Sequence, residues 1–203
     1  MTPEEFATEL RRQAAGDRRV LVGITGEPGA GKSTLARVVV GQLGANAVVL
    51  PMDGFHLPQA RLVELGRRER MGAPDTFDVD RFVRVLTAVR ADEGRVDAPG
   101  FDREIEEPVA GAIRILPAHR IVLVEGNYLL HDEDGWAAVA DLLDVTAFIR
   151  VDPGIRHERL IARHIAFGKT PDAARAWALG PDEANAALIR AGADRADMHV
   201  VVD

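Results

Sequence analysis

The eight residues 26–33, Gly-Glu-Pro-Gly-Ala-Gly-Lys-Ser, constrain this chain more than any other stretch. They fit the spacing G-x-x-x-x-G-K-S. An apolar run, 20–24, precedes them and a helical pattern, 32–43, follows. A strand that feeds such a turn and then a helix gathers backbone N–H groups and the positive end of the helix at one point. Gly26, Gly29 and Gly31 let the backbone close around an anion where side chains would block it. Lys32 is then placed to reach the outer phosphates of a nucleoside triphosphate, and the Ser33 hydroxyl to ligate Mg²⁺. Gly26, Glu27, Pro28, Gly29, Ala30, Gly31, Lys32, Ser33 and Thr34 form the expected ATP-binding segment.

The rest of the chain continues the same alternation. Runs 20–24, 47–52, 121–124, 146–151 and 199–202 are rich in Val and Ile and almost unbroken in apolar character. That is the pattern of strands buried on both faces of a parallel sheet. Helical patterns occupy 32–43, 79–90, 134–143, 153–167 and 181–191, with Asp78 and Asp152 at cap positions. Thr2, Pro3 and Glu5 mark the start of an amphipathic helix at the N-terminus. The expectation is one α/β domain over 1–203, with three α/β/α layers and a parallel sheet of about five strands. Segment 94–117, with Pro99, Gly100, Pro108 and Gly111, breaks the rhythm and predicts an inserted hairpin.

Totals narrow the partners. With 203 residues and a formal net charge of -7, the chain repels nucleic acid and anionic membrane at long range. No run is long enough to span a bilayer, and no signal-peptide core is present, so a cytoplasmic protein is expected. The absence of cysteine removes disulfides, thiolate metal sites and cysteine nucleophiles together. The expected partner is a small-molecule substrate; a homodimer is left open.

Ligands of open parallel sheets gather at the carboxyl ends of the strands. Two acids end strands here, Asp53 after 47–52 and Glu125 after 121–124. Asp53 is the expected general base toward an acceptor hydroxyl, and Glu125 stands with Ser33 on the metal side. Further along, Arg156, Arg159 and Arg163 are spaced by three and four, so the spacing puts them on one helix face. A triphosphate in transfer is an anion that such a stripe could face. Gly168 then reads as a hinge, making 153–180 a lid region. His157 and His164 are read as structural. The acceptor-side candidates are Asp53, His56, Arg70, Phe101, Asp102, Arg103 and Tyr128.

The stretches GEPGAGKST, PMDGFHLP, RMGAPDTFD, APGFDRE and VLVEGNYLL, with the arginine helix after them, resemble the phosphoribulokinase/uridine kinase family, to which bacterial pantothenate kinase also belongs. The resemblance implies a P-loop nucleoside triphosphate hydrolase-type α/β fold with a mobile lid. It implies ATP-dependent phosphorylation of a small-molecule hydroxyl, with Asp53 as base and Arg159 and Arg163 as lid arginines. Asp53-Gly-Phe-His56 stands where uridine kinases carry D-S-F-Y, which leaves nucleoside, pantothenate-like and sugar acceptors open. The alternative is a nucleotide-hydrolysing switch or assembly factor. A guanine-reading N-K-x-D motif is missing, and Asp132–Gly135 matches D-x-x-G only beyond the strand-three acid.

Overall fold

The computed structural model describes residues 1–16 and 18–202. Its centre is a five-stranded sheet. The strands are β1 (Val20–Thr25), β2 (Ala47–Pro51), β5 (Ile121–Glu125), β6 (Val145–Arg150) and β7 (Met198–Val201), in the order β2-β5-β1-β6-β7. Every pairing is parallel, with Val22 opposite Leu123 on one side and Val145 on the other. All six residues of β1 and all five of β5 are buried.

Alternation along the strands divides two cores. Leu21, Leu50, Val122, Val124 and Phe148 face a cluster that includes Phe55, Phe82 and Trp136. Val20, Val22, Ile24, Leu123 and Ile149 face the other, with Phe6, Leu10, Leu35 and Val39. Sequence neighbours on one strand thus serve opposite layers, which is why the runs read as continuously apolar.

Helices cover both faces. α1 (Pro3–Gln13) opens with a capping box between Thr2 and Glu5, and α2 (Lys32–Leu43) follows the glycine-rich turn. α3 (Gln59–Glu64) and α4 (Val79–Ala91) lie between β2 and the hairpin, and Asp78 caps α4 through the Arg81 N–H. After β6 come α6 (Pro153–Ala166), α7 (Pro171–Leu179) and α8 (Pro181–Ala191). Among the described residues, no helix is long and apolar enough to cross a membrane.

Segment 94–117 forms β3 (Val96–Asp102) and β4 (Glu107–Ile115), an antiparallel pair with a register shift between Ala98 and Gly100. Gly54 fastens this pair to the sheet. A Cβ there would lie 2.2 Å from the Pro99 carbonyl oxygen, so only glycine admits the close approach.

One expectation is corrected, and one segment of the lid region gains a helix that no apolar run marked. The helix predicted over 134–143 shrinks to α5 (Ala137–Ala140). Asp134 and Gly135 adopt positive φ of 52° and 84°, which a right-handed helix cannot contain, and they turn the chain so that Trp136 is fully buried. The stretch between 167 and 181 holds α7, a helix that the apolar pattern did not announce; its N-cap is Thr170, followed by Pro171.

Candidate active site

The sheet order reverses beside β1, and the crevice this opens at the strands' carboxyl ends is a cleft of about 870 Å³. The glycine-rich turn, Asp53, Glu125, the hairpin turn, α6 and α8 all contribute to its wall.

The turn is braced from below. Gly29 has φ +82°, and a Cβ on it would lie 2.8 Å from the Arg156 carbonyl oxygen and 2.8 Å from Leu160 Cγ. The loop therefore rests directly on the first turns of α6. Ala30 is fully buried, while Pro28, Gly29, Gly31, Lys32, Ser33 and Thr34 face the cleft. Lys32 Nζ donates to the carbonyls of Gly26 (2.8 Å) and Glu27 (3.0 Å). Burial pushes its ammonium down to about 8, opposed by the charges of Glu125 and Asp53.

Glu125 ends β5 opposite Pro51 of β2, and Asp53 lies two residues beyond Pro51 in the tight turn Met52–Phe55. Neighbouring strands thus bring the two acids to one side of the cleft. The Ser33 hydroxyl lies 3.1 and 3.2 Å from the two Glu125 carboxylate oxygens. Burial, then the Asp53 charge, raises Glu125 above the usual carboxylate range. Among the described residues, no group of three or more His, Cys, Asp or Glu side chains could hold a metal. A hydroxyl and a buried carboxylate beside a phosphate cradle suit Mg²⁺, which completes its shell with substrate oxygens and water.

Asp53 accepts from Arg103 Nη2, which arrives from the β3–β4 turn. Beside it, His56 Nδ1 lies 2.8 Å from the Asp53 backbone carbonyl. A carbonyl only accepts, so Nδ1 carries the proton and Nε2 remains an acceptor. Burial lowers the His56 pKa and keeps the ring neutral. The ring packs between Phe77 (centroids 4.0 Å) and Phe101 (4.9 Å).

The arginine stripe splits. Arg159 and Arg163 line the cleft, and Arg159 Nη1 lies 3.9 Å from where a side chain on Gly31 would begin. Burial, followed by repulsion from Arg103, lowers Arg163, which stays charged because its ordinary value is so high. Arg156, expected on the same face, is fully buried beneath the turn. Its Nε is 3.0 Å from Glu27 Oε2, and its Nη2 donates to Glu183. Glu27 also accepts from Arg190 at 2.9 and 2.8 Å, so its side chain faces a brace and not the cleft.

Three acceptor-side candidates lie outside the cleft wall. Tyr128 is buried and its hydroxyl donates to the Gly72 carbonyl at 2.6 Å. Arg70 is held by both carboxylate oxygens of Asp75. Asp102 accepts from the Glu104 N–H and closes the hairpin turn. Other residues enter that no motif announced. Arg68 reaches the wall and pairs with Glu106 at 2.6 Å. His164 also reaches it, 2.7 Å from Asp182 of α8, and Lys169 lies 4.3 Å from the Trp177 ring centroid. In the sequence, 168–180 reads only as part of the lid region, without a role for these residues.

Comparison with known proteins gives the family. Residues 21–202 match the phosphoribulokinase/uridine kinase family. A crystal structure of a candidate fructose transport system kinase from Silicibacter sp. TM1040 superposes with a TM-score of 0.89 at 37% identity, covering 98% of each chain. A candidate uridine kinase of Schizosaccharomyces pombe is 35% identical over 161 residues, 74% of this chain and 68% of its own. A pantothenate kinase of Brucella ovis is 30% identical over 161 residues, 74% of this chain and half of its own. With a glycine-rich cradle, two strand-end acids and the match running almost from end to end, the chain belongs to the phosphoribulokinase/uridine kinase family, P-loop phosphotransferases that take a hydroxyl group as acceptor.

Proposed function

We propose that the protein, with Mg²⁺, transfers the terminal phosphoryl group of ATP to a hydroxyl of a small metabolite. The reading is carried by one juxtaposition: Asp53 and Glu125, at adjacent strand ends, share a cleft with Lys32 and the glycine-rich turn. Asp53 accepts the hydroxyl proton. Lys32, Arg159 and Arg163 hold and neutralise the transferring group. Ser33 and Glu125 would hold the metal, which would supply charge neutralisation at the transferring group. On the acceptor side the proposal keeps His56, Phe101 and Arg103, and gives Tyr128, Arg70 and Asp102 structural work. The proposed lid lines the cleft through residues between Arg159 and Trp177, among them Arg163, His164, Phe167 and Lys169. The relatives' names point to three different acceptors, so none of them carries over.

The test is ADP release from MgATP, with and without candidate alcohols. Release that depends on an alcohol is expected; equal release without one would favour the hydrolase.

The buried lysine adds a pH dependence. Lys32 is an ammonium below about 8 and loses its proton above it. Only the ammonium attracts the triphosphate, and a bound triphosphate raises its pKa again. So kcat/KM for ATP is expected to be level below pH 8 and to fall about tenfold per unit well above it. The kcat at saturating ATP stays level over the same range. A kcat/KM profile flat to pH 10 would remove Lys32 from phosphate binding.

A further inference from the structure

The candidate base is not alone. Arg103 spans 50 residues of sequence to reach Asp53, and its guanidinium stands 6.0 Å from the centroid of the Phe101 ring. The guanidinium occupies the Asp53 Oδ2 oxygen with a charge-assisted hydrogen bond. That oxygen opens to an incoming hydroxyl only if Arg103 finds another anion.

The phosphates of ATP are poor candidates for that anion. In the kinase reading they fall to Lys32, Arg159 and Arg163, whereas Arg103 comes from the turn between β3 and β4 and is engaged with Asp53. Arg103 also crowds its neighbours. Its charge disfavours protonation of both Arg163 and His56, and Asp53 is the carboxylate that holds it at this end of the cleft. A second guanidinium, Arg68, opens on the same cleft and pairs with exposed Glu106 of the same hairpin turn. Neutral His56 and Phe101 complete a wall suited to the uncharged part of a small molecule.

Resting on the kinase reading above, we propose that the acceptor is a hydroxyl-bearing small anion, a carboxylate or a phosphate ester. Its anionic group takes Arg103 from Asp53, with Arg68 as the second cation. The acceptor thereby frees the base that deprotonates it. In the transfer, the acceptor oxygen bonds to the γ-phosphorus as the bond to the β–γ bridging oxygen breaks. The hydroxyl proton passes to Asp53, and Arg103 stays with the acceptor's anion. An alcohol without an anionic group, water included, leaves Asp53 engaged.

The test uses matched pairs with MgATP: pantothenate against pantothenol, D-glycerate against glycerol, fructose 6-phosphate against fructose, and uridine 5′-monophosphate against uridine. In at least one pair the anionic member is expected to exceed its neutral partner by about tenfold or more in kcat/KM, as a charge-assisted contact requires. The first two pairs report a carboxylate and the last two a phosphate. Arg103→Gln is expected to collapse that ratio by raising KM for the anionic member, and Arg103→Lys to restore part of it. A ratio unchanged in Arg103→Gln overturns the proposal. Transfer to neutral members alone also overturns it while leaving the kinase reading intact. No alcohol-dependent ADP release with any of the eight overturns both.

Discussion

Asp53→Asn is expected to lower kcat by about 10²–10⁴-fold and to leave KM for ATP within about twofold. The amide keeps the shape of the side chain but takes up no proton at neutral pH. The turn Met52–Phe55 that carries it is fixed by other contacts, namely buried Met52 and Phe55 and the Gly54 approach to Pro99. The pair with Arg103 is partly exposed on both sides, so its loss costs at most about 1 kcal/mol of stability. Activity and folding therefore separate in this variant. Steady-state rates at saturating acceptor, with a melting curve beside them, decide the matter. A kcat within about threefold of the parent would show that another group accepts the proton.

Arg156→Ala is expected to have the largest effect on stability, about 3–5 kcal/mol. The guanidinium is 1% exposed and lies between Glu27 and Glu183. Alanine would leave both acids with Arg190 as their remaining arginine, under the loop that must hold a triphosphate. For a chain of 203 residues the loss corresponds to a melting temperature lower by about 6–20 °C. Urea unfolding measures it directly. A midpoint unchanged within error would mean that Arg156 is not a strut, and would return it to the cationic stripe.

These two residues show where the sequence was readable and where it was not. Asp53 was legible because a strand-end acid in an open parallel sheet has few other places to be. The same logic located Glu125, and the glycine spacing located Lys32 and Ser33. The sheet itself was legible because strands buried on both faces leave unbroken Val and Ile runs. Arg156 was misplaced because helical spacing says which residues share a face, not which of them tilts beneath a neighbouring loop. The decisive partner, Glu183, is 27 positions away on another helix. Tyr128 looked like a loop aromatic, but the hydroxyl has a backbone partner 56 residues away, and the ring belongs to the Trp136 cluster. Arg68, Trp177 and Asp182 reach the cleft through tertiary packing alone. The hairpin was signalled by its prolines and glycines, whereas the Arg103–Asp53 pair, which depends on the hairpin's docking at Gly54, was not.

The seating of Gly29 on Arg156 and Leu160 turns the start of α6 into a fulcrum. Any tilt of that helix must begin near Leu160, since the turns before it are wedged against the phosphate cradle. At 1.5 Å of rise per residue, Phe167 stands about 10 Å along the lever, so a 10° swing carries it about 2 Å. Arg159, beside the pivot, would barely shift, and Arg163 would travel less than half as far as Phe167. Two arginines of one helix would then divide their labour mechanically, one a fixed post and the other riding the arm.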